Sequence, residues 1–321
     1  MSYDLILATV SLEGSAERLV QLDPAERRRR TVVAARDYDA AGLWAIVEAR
    51  LVLQGRAGAR VSPRTLESYR QGLAALLRWA QPAGVSLLRP RPDEGSAYAR
   101  WLEGQKYSPS TVNVRLAAAR AVYAALRWAG ATEASPFSDV RGASDPTPRW
   151  EKRSPYTKSE IDTLLQHADP QERVYVLLGA DCGLRNSEMS SLRRDDVHLN
   201  VEQPRITILG KGGRRQSVGL SRRAEQALKI WLAATPNFGP WVLMLRSRSG
   251  IRDSLVRLCR RADVRYEGRE VHGLRHTAGT RTYNETTDLL SVRDHLRHAS
   301  TETSEIYVQY ARKSKAVNRD W

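Results

Sequence analysis

The segment Val271 to Thr277, V-H-G-L-R-H-T, constrains this chain more than any other. It sets a histidine and an arginine three residues apart in a helix-compatible stretch. Residues at i and i+3 share a helix face, so His272 and Arg275 can aim at one anion. A second arginine, Arg185, stands far upstream in G-L-R-N-S-E. Gly183 is placed to end one helix and Asn186 or Ser187 to cap the next, which leaves Arg185 in a turn near fresh backbone N–H groups. An ion pair to Glu188, three residues on, accounts for Arg185 equally well taken alone. Arg275 alters that balance. Two guanidinium forks around one phosphorus can grip both non-bridging oxygens of a phosphodiester and match the charge that builds in its transition state.

Most of the six histidines fall in the last third of the chain. The pairs His272/His276 and His295/His298 have spacings that zinc sites use, but neither has the Glu of a His-Glu-x-x-His motif, and no cysteine lies close. Histidines that donate to phosphate oxygens or shuttle protons fit the arginines better, and no metal or cofactor is expected. Nine residues after His298 comes Tyr307, a candidate nucleophile. A phenol is a poor nucleophile at neutral pH, and neighbouring cations are expected to make it usable. Tyr310, one helical turn on, is its rival.

Lys and Arg outnumber Asp and Glu by 51 to 36, a formal charge of +15, which is the electrostatic footprint of a polyanion binder. No apolar run reaches the roughly eighteen residues of a membrane span and no leader precedes the first helix, so a cytoplasmic, nucleoid-associated protein is expected. Cys182 and Cys259 are far apart and read as small buried residues of a reducing compartment.

At 321 residues, two domains are the default. Residues 1–39 are poorly patterned and read as an arm, with Arg27 to Arg30 a solvated face. From 40 to 140, helical stripes recur: Leu43, Val47 and Leu51; Leu66, Tyr69, Leu73 and Leu76 behind Ser62-Pro63; Tyr98, Trp101 and Leu102; and Val112, Leu116, Ala119 and Tyr123 behind Ser108-Pro109. Four helices make an all-α domain whose aromatic stripe reads as core. Residues 141–154, with Gly142, Pro146 and Pro148, read as an extended linker. The second domain, 155–321, opens on the capping box Thr157-Lys158-Ser159-Glu160. Its one β-prone region, Arg205 to Leu209 and Gln216 to Val218, brackets a glycine-rich turn that carries Lys211 at its tip.

The dispersed order Arg185, Lys211, His272-x-x-Arg275, His298, Tyr307 resembles the tyrosine recombinase family, of phage integrase and Xer type. The resemblance covers most of the chain and implies a mainly α fold with a small antiparallel β-sheet (α+β). It further implies a two-domain DNA clamp with an N-terminal core-binding and a C-terminal catalytic domain. It implies cleavage and rejoining of duplex DNA at a short inverted-repeat site, through a 3′-phosphotyrosine and a Holliday junction, by a tetramer and without metal or ATP. A partner recombinase is possible within such a family. Arg185, Arg275 and His298 would hold the scissile phosphate, Lys211 would protonate the leaving 5′ oxygen, His272 would assist as acid–base, and Tyr307 would attack. The basic tail after Tyr307 would pass to a neighbouring protomer. One departure is Arg297, which stands where the family often has glycine before the histidine. Two alternatives remain: an inert DNA-binding protein of the same fold, and a monomeric topoisomerase.

Overall fold

The computed structural model describes residue 19 and residues 21–55, 58, 61–210 and 215–316. The chain divides into two compact units, Met1–Pro146 and Thr147–Trp321.

The first unit is helical. Its helices are α1 (Pro24–Arg36), α2 (Ala40–Gln54), α3 (Pro63–Ala80), α4 (Glu94–Gly104) and α5 (Pro109–Trp128). Ser62 and Ser108 cap α3 and α5 by accepting from the Thr65 and Thr111 amides, each with proline in the first turn. The core is the set of stripes meeting inward: Leu43, Leu73, Leu76, Tyr98, Leu116 and Tyr123 are all buried. The aromatics pack on each other, Tyr98 against Phe137 at 5.7 Å and Tyr123 against Phe137 at 5.4 Å.

The arm expected over residues 1–39 needs correction. Residues 24–36 form α1, capped by Asp23 and carrying Pro24 in its first turn, with Thr31, Ala34 and Ala35 buried. A threonine and two alanines give too little apolar contrast to mark a face in the sequence. The arginine run lies along this helix, where Arg29 and Arg30 pair with Glu26. The linker also needs correction: 149–152 make one helical turn, α6 (Arg149–Lys152), and the Ser154 amide bonds to the Gly268 carbonyl at 2.7 Å.

In the second unit follow α7 (Lys158–His167), α8 (Pro170–Ala180) and the short α9 (Asn186–Ser190). Both halves of the Thr157/Glu160 capping box are formed. A three-stranded antiparallel sheet comes next: β1 (Val197–His198), β2 (Arg205–Leu209) and β3 (Arg215–Gly219), in that order. Ile206 pairs with Val218, and both point into the core with Ile208. The β2–β3 ladder is described as far as Leu209 opposite Arg215. Lys211 lies outside the described residues, and so does the tail beyond residue 316. The unit closes with α10 (Arg222–Ala234), α11 (Arg248–Arg261), α12 (Glu270–Thr286), α13 (Leu289–Leu296) and α14 (Ile306–Ala316). Among the described residues no helix is long and apolar enough to cross a membrane.

Candidate active site

Helix α12 is the spine of the site. Val271, Leu274 and Ala278 bury its apolar side, while His272, Arg275, His276 and Gly279, at i, i+3, i+4 and i+7, share another face. Arg275 is 1% exposed. Its guanidinium donates to the carbonyls of Gly183 and Leu296, which commits two of its five N–H directions and fixes the fork. Burial first, then the charges of Arg185 and Arg297, pulls its pKa down to about 9, so it stays cationic at neutral pH.

Arg185 sits at the N-terminus of α9. Its Nη1 donates to Glu188 Oε1 at 2.7 Å, and its amide donates to Glu188 Oε2 at 2.8 Å. The ion pair read from the sequence is therefore formed, with the carboxylate holding the arginine. Glu188 is itself buried and also accepts from Arg297 Nη2 at 3.2 Å. Burial alone would raise the Glu188 pKa; the Arg185 amide and the Arg297 and Arg185 charges outweigh it and hold the carboxyl below its ordinary value.

Arg297 takes the left-handed position that ends α13, at φ 57°. The His298 amide bonds to the Arg293 carbonyl at 2.9 Å and the Arg297 amide to that of Asp294 at 3.1 Å, a Schellman turn that aims His298. A non-glycine residue there costs about 1 kcal/mol. The side chain offsets that strain: it is 6% exposed and donates to the Gly183 and His295 carbonyls, each at 3.0 Å, as well as to Glu188. The Gly183 carbonyl thus accepts from both Arg275 and Arg297. Gly183 lies at φ 65°, and a Cβ there would come within 2.6 Å of Leu296.

His298 is partly buried, with Nδ1 2.9 Å from Ser304 Oγ. Its ring stacks with that of Tyr307 at 6.3 Å and 15°. Tyr307 is 1% exposed and lies over Gly279, where a Cβ would be 2.5 Å from the phenol ring. Its hydroxyl is 3.2 Å from His276 Nδ1. Neighbouring cations were expected to make the phenol usable, but burial prevails over them here. Burial raises the Tyr307 pKa and outweighs Arg275 and Arg185, which act to lower it. His272, exposed, packs edge-on against His276 at 4.5 Å. A cavity of about 320 Å³ opens onto His272, His276, His298 and Tyr307 and is walled by Trp150. A larger one, about 630 Å³, is lined by Thr277, Thr280 and Arg281 of α12 and lacks the His-Arg cluster.

The phage integrase family model matches residues 156–314, and the phage integrase N-terminal SAM-like domain matches residues 57–130. Tyrosine recombinase XerC 1 of Ralstonia nicotianae is 30% identical over 282 residues, which cover 77% of this chain and 84% of that protein. The chain belongs to the tyrosine recombinase family. Tyrosine recombinase XerD of Xanthomonas campestris pv. campestris is 28% identical over 90% of this chain and 94% of its own. Among solved structures, the XerH site-specific recombinase in its post-cleavage complex with palindromic difH shares the fold, with a TM-score of 0.69 at 18% identity. That match covers 98% of this chain and 95% of the other. The matched catalytic region contains all six residues singled out in the sequence, and the recombinase brings five of them, Arg185, His272, Arg275, His298 and Tyr307, into one neighbourhood. Sequence reasoning missed Glu188 as a buried partner, Arg297 as an anchor, Trp150 as a wall, and His276 as the imidazole on the nucleophile's oxygen. Only the i+4 spacing of His276 from His272 hinted at the last.

Proposed function

We propose that this tyrosine recombinase cuts and rejoins duplex DNA at a specific site through a 3′-phosphotyrosine at Tyr307. The observation that carries the reading is the setting of that tyrosine: its ring lies along His298, with Arg275 and Arg185 near enough to act on its ionisation. Arg185, Arg275 and His298 hold the scissile phosphate, and His272, at the cavity mouth, assists proton transfer. Lys211 protonates the leaving 5′ oxygen. Attack by the phenol exchanges one phosphoester for another, so neither nucleotide nor metal is called for. The rival Tyr310 is less well placed, because its hydroxyl donates to the Arg153 carbonyl. The partner is duplex DNA with a short inverted repeat, on which copies of the chain assemble as a tetramer and exchange strands through a Holliday junction in the cytoplasm. The charge of +15 suits that polyanion.

A nicked suicide substrate tests this reading. Tyr307→Phe should bind DNA as the parent does and form no covalent adduct, whereas Tyr310→Phe should still form one. Adduct lost in the second variant and kept in the first would overturn the choice of nucleophile. Adduct on random duplex would favour a topoisomerase, and none from the parent protein an inert binder.

A further inference from the structure

Three imidazoles line the cavity with Tyr307, and among the described residues His276 is the one whose nitrogen lies within hydrogen-bond distance of the phenol oxygen. His298 Nδ1 is engaged by Ser304, and His272 is exposed on the neighbouring turn. His276 is 7% exposed, and its Nδ1 lies 3.2 Å from the Tyr307 oxygen. A buried phenol that keeps its proton gains by donating it, since an unpartnered buried O–H costs about 1–3 kcal/mol. The His276 ring is fixed by what packs on it: His272 edge-on at 4.5 Å, Tyr310 edge-on at 5.5 Å and Tyr307 tilted at 5.7 Å. Gly279, one turn on along α12, leaves room for the phenol to reach it.

From this geometry we propose that His276 is a further catalytic residue of the recombinase, the acceptor of the Tyr307 proton, an assignment that rests on Tyr307 being the nucleophile. In the resting protein neutral His276 accepts the phenol's hydrogen bond through Nδ1. In cleavage the Tyr307 oxygen bonds to phosphorus as the bond from phosphorus to the 5′ oxygen breaks. The phenolic proton passes to His276 Nδ1, and the leaving oxygen takes its proton from Lys211. Religation runs the same transfers backwards, with His276 returning its proton to the departing phenol. Burial keeps the imidazole in its accepting form: its pKa is pulled down to about 3, first by desolvation and then by His272, Arg153, Arg275 and His298. Those groups, with Tyr307 and Tyr310 from α14, are the ionisable side chains that face it among the described residues. A phosphodiester set among them adds negative charge and raises the imidazole's basicity when the proton has to move.

Single-turnover cleavage of the nicked suicide substrate by full-length protein, measured across pH beside DNA affinity, tests the assignment. His276→Phe fills the space without an acceptor, and cleavage should fall by about 100-fold or more while affinity changes little. In His276→Asn the amide oxygen can stand near Nδ1 and accept a hydrogen bond, but it cannot hold a proton. That variant should keep DNA binding, cleave slowly, and gain rate steadily with rising pH as solvent base takes over, where the parent levels off. If His276→Phe is too poorly folded to bind DNA, the pH profile of His276→Asn decides alone. A parental rate in His276→Phe, or a parental rate and pH profile in His276→Asn, would overturn the proposal. Mapping the parent's adduct to a residue other than Tyr307 would instead refute the nucleophile on which it rests.

Discussion

Glu26 in the first unit and Glu188 in the second each bridge two arginines, under opposite conditions. Glu26 holds Arg29 and Arg30 at 2.7 and 2.6 Å on the surface of α1, with those arginines 69% and 54% exposed. Glu188 holds Arg185 and Arg297 at 2.7 and 3.2 Å, while it and Arg297 are 5% and 6% exposed. Among the described residues the first unit buries one charged side chain, Glu48, and its arginines stay at least partly exposed around an apolar and aromatic core. The second buries charge: Glu172, Asp181, Glu188 and Arg275 are all nearly inaccessible. Ions taken out of water are held by strong, directional bonds, so they cannot drift. That rigidity is what a site built to meet a phosphodiester in one geometry requires, because donors already oriented need no reorganisation during reaction.

The sharpest way to break this comparison is to remove both glutamates in turn. Glu188→Ala leaves Arg297 buried without its counter-charge, and such a deletion costs about 3–5 kcal/mol. We expect a large fall in the urea midpoint of the second unit and loss of cleavage. Glu26→Ala, in which water replaces the carboxylate, should leave the unfolding curve of the first unit where it was. Equal effects from the two would mean that burial does not separate them.

Acid provides the next test, since all six histidines lie in the second unit. Burial, followed by neighbouring cationic groups, pulls the pKa of His276 down to about 3 and those of His295 and His298 to about 4. In the unfolded chain these imidazoles take up protons below about pH 6.5. Between about 6.5 and 4 the unfolded state therefore binds more protons. The stability they contribute is complete above 6.5 and is lost as pH falls through that window. Hydrogen exchange of DNA-free protein stepped from pH 7.5 to 4.5 should show protection lost in α12 and α13 before α3 and α5, once exchange is corrected for its intrinsic pH dependence. Loss in the opposite order would contradict the assignment.

The two units also differ in how far their sequences disclosed them. The helices α2 to α5 follow from apolar stripes and from the Ser-Pro starts at Ser62 and Ser108, because local spacing alone decides which face is buried. Helix α1 escaped, since its buried positions are Thr31, Ala34 and Ala35; Asp23-Pro24 was the signal available. At the site, His272-x-x-Arg275 was legible from helical periodicity. Arg185, His298 and Tyr307 were candidates from their local contexts, but their membership of one set was legible only through resemblance. What holds that set is written across long separations. Arg275 reaches Gly183 and Leu296, Arg297 reaches Glu188, and Tyr307 reaches His276. No local pattern encodes such pairings, because they arise only once α12, α13, α14 and the segment from the end of α8 through α9 pack together.

The smallest expected effect compares two buried tyrosines. Tyr307 has His276 on its hydroxyl; Tyr98, on α4, is fully buried and its hydroxyl has no hydrogen-bond partner among the described residues. The Tyr98 ring is held by packing, 5.2 Å from Trp79 and 5.9 Å from Trp101, so removing the oxygen leaves its apolar contacts in place. An unsatisfied buried hydroxyl is a standing cost that phenylalanine does not carry. Tyr98→Phe should therefore stabilise the first unit by about 1 kcal/mol, read as a higher melting temperature, and leave DNA cleavage unchanged. The same exchange at Tyr307 should abolish the covalent adduct. If Tyr98→Phe destabilises the unit by as much as it was expected to stabilise it, the hydroxyl has a partner such as a buried water. The first unit would then hold its core together through polar contacts as well, and the contrast between the two units would narrow.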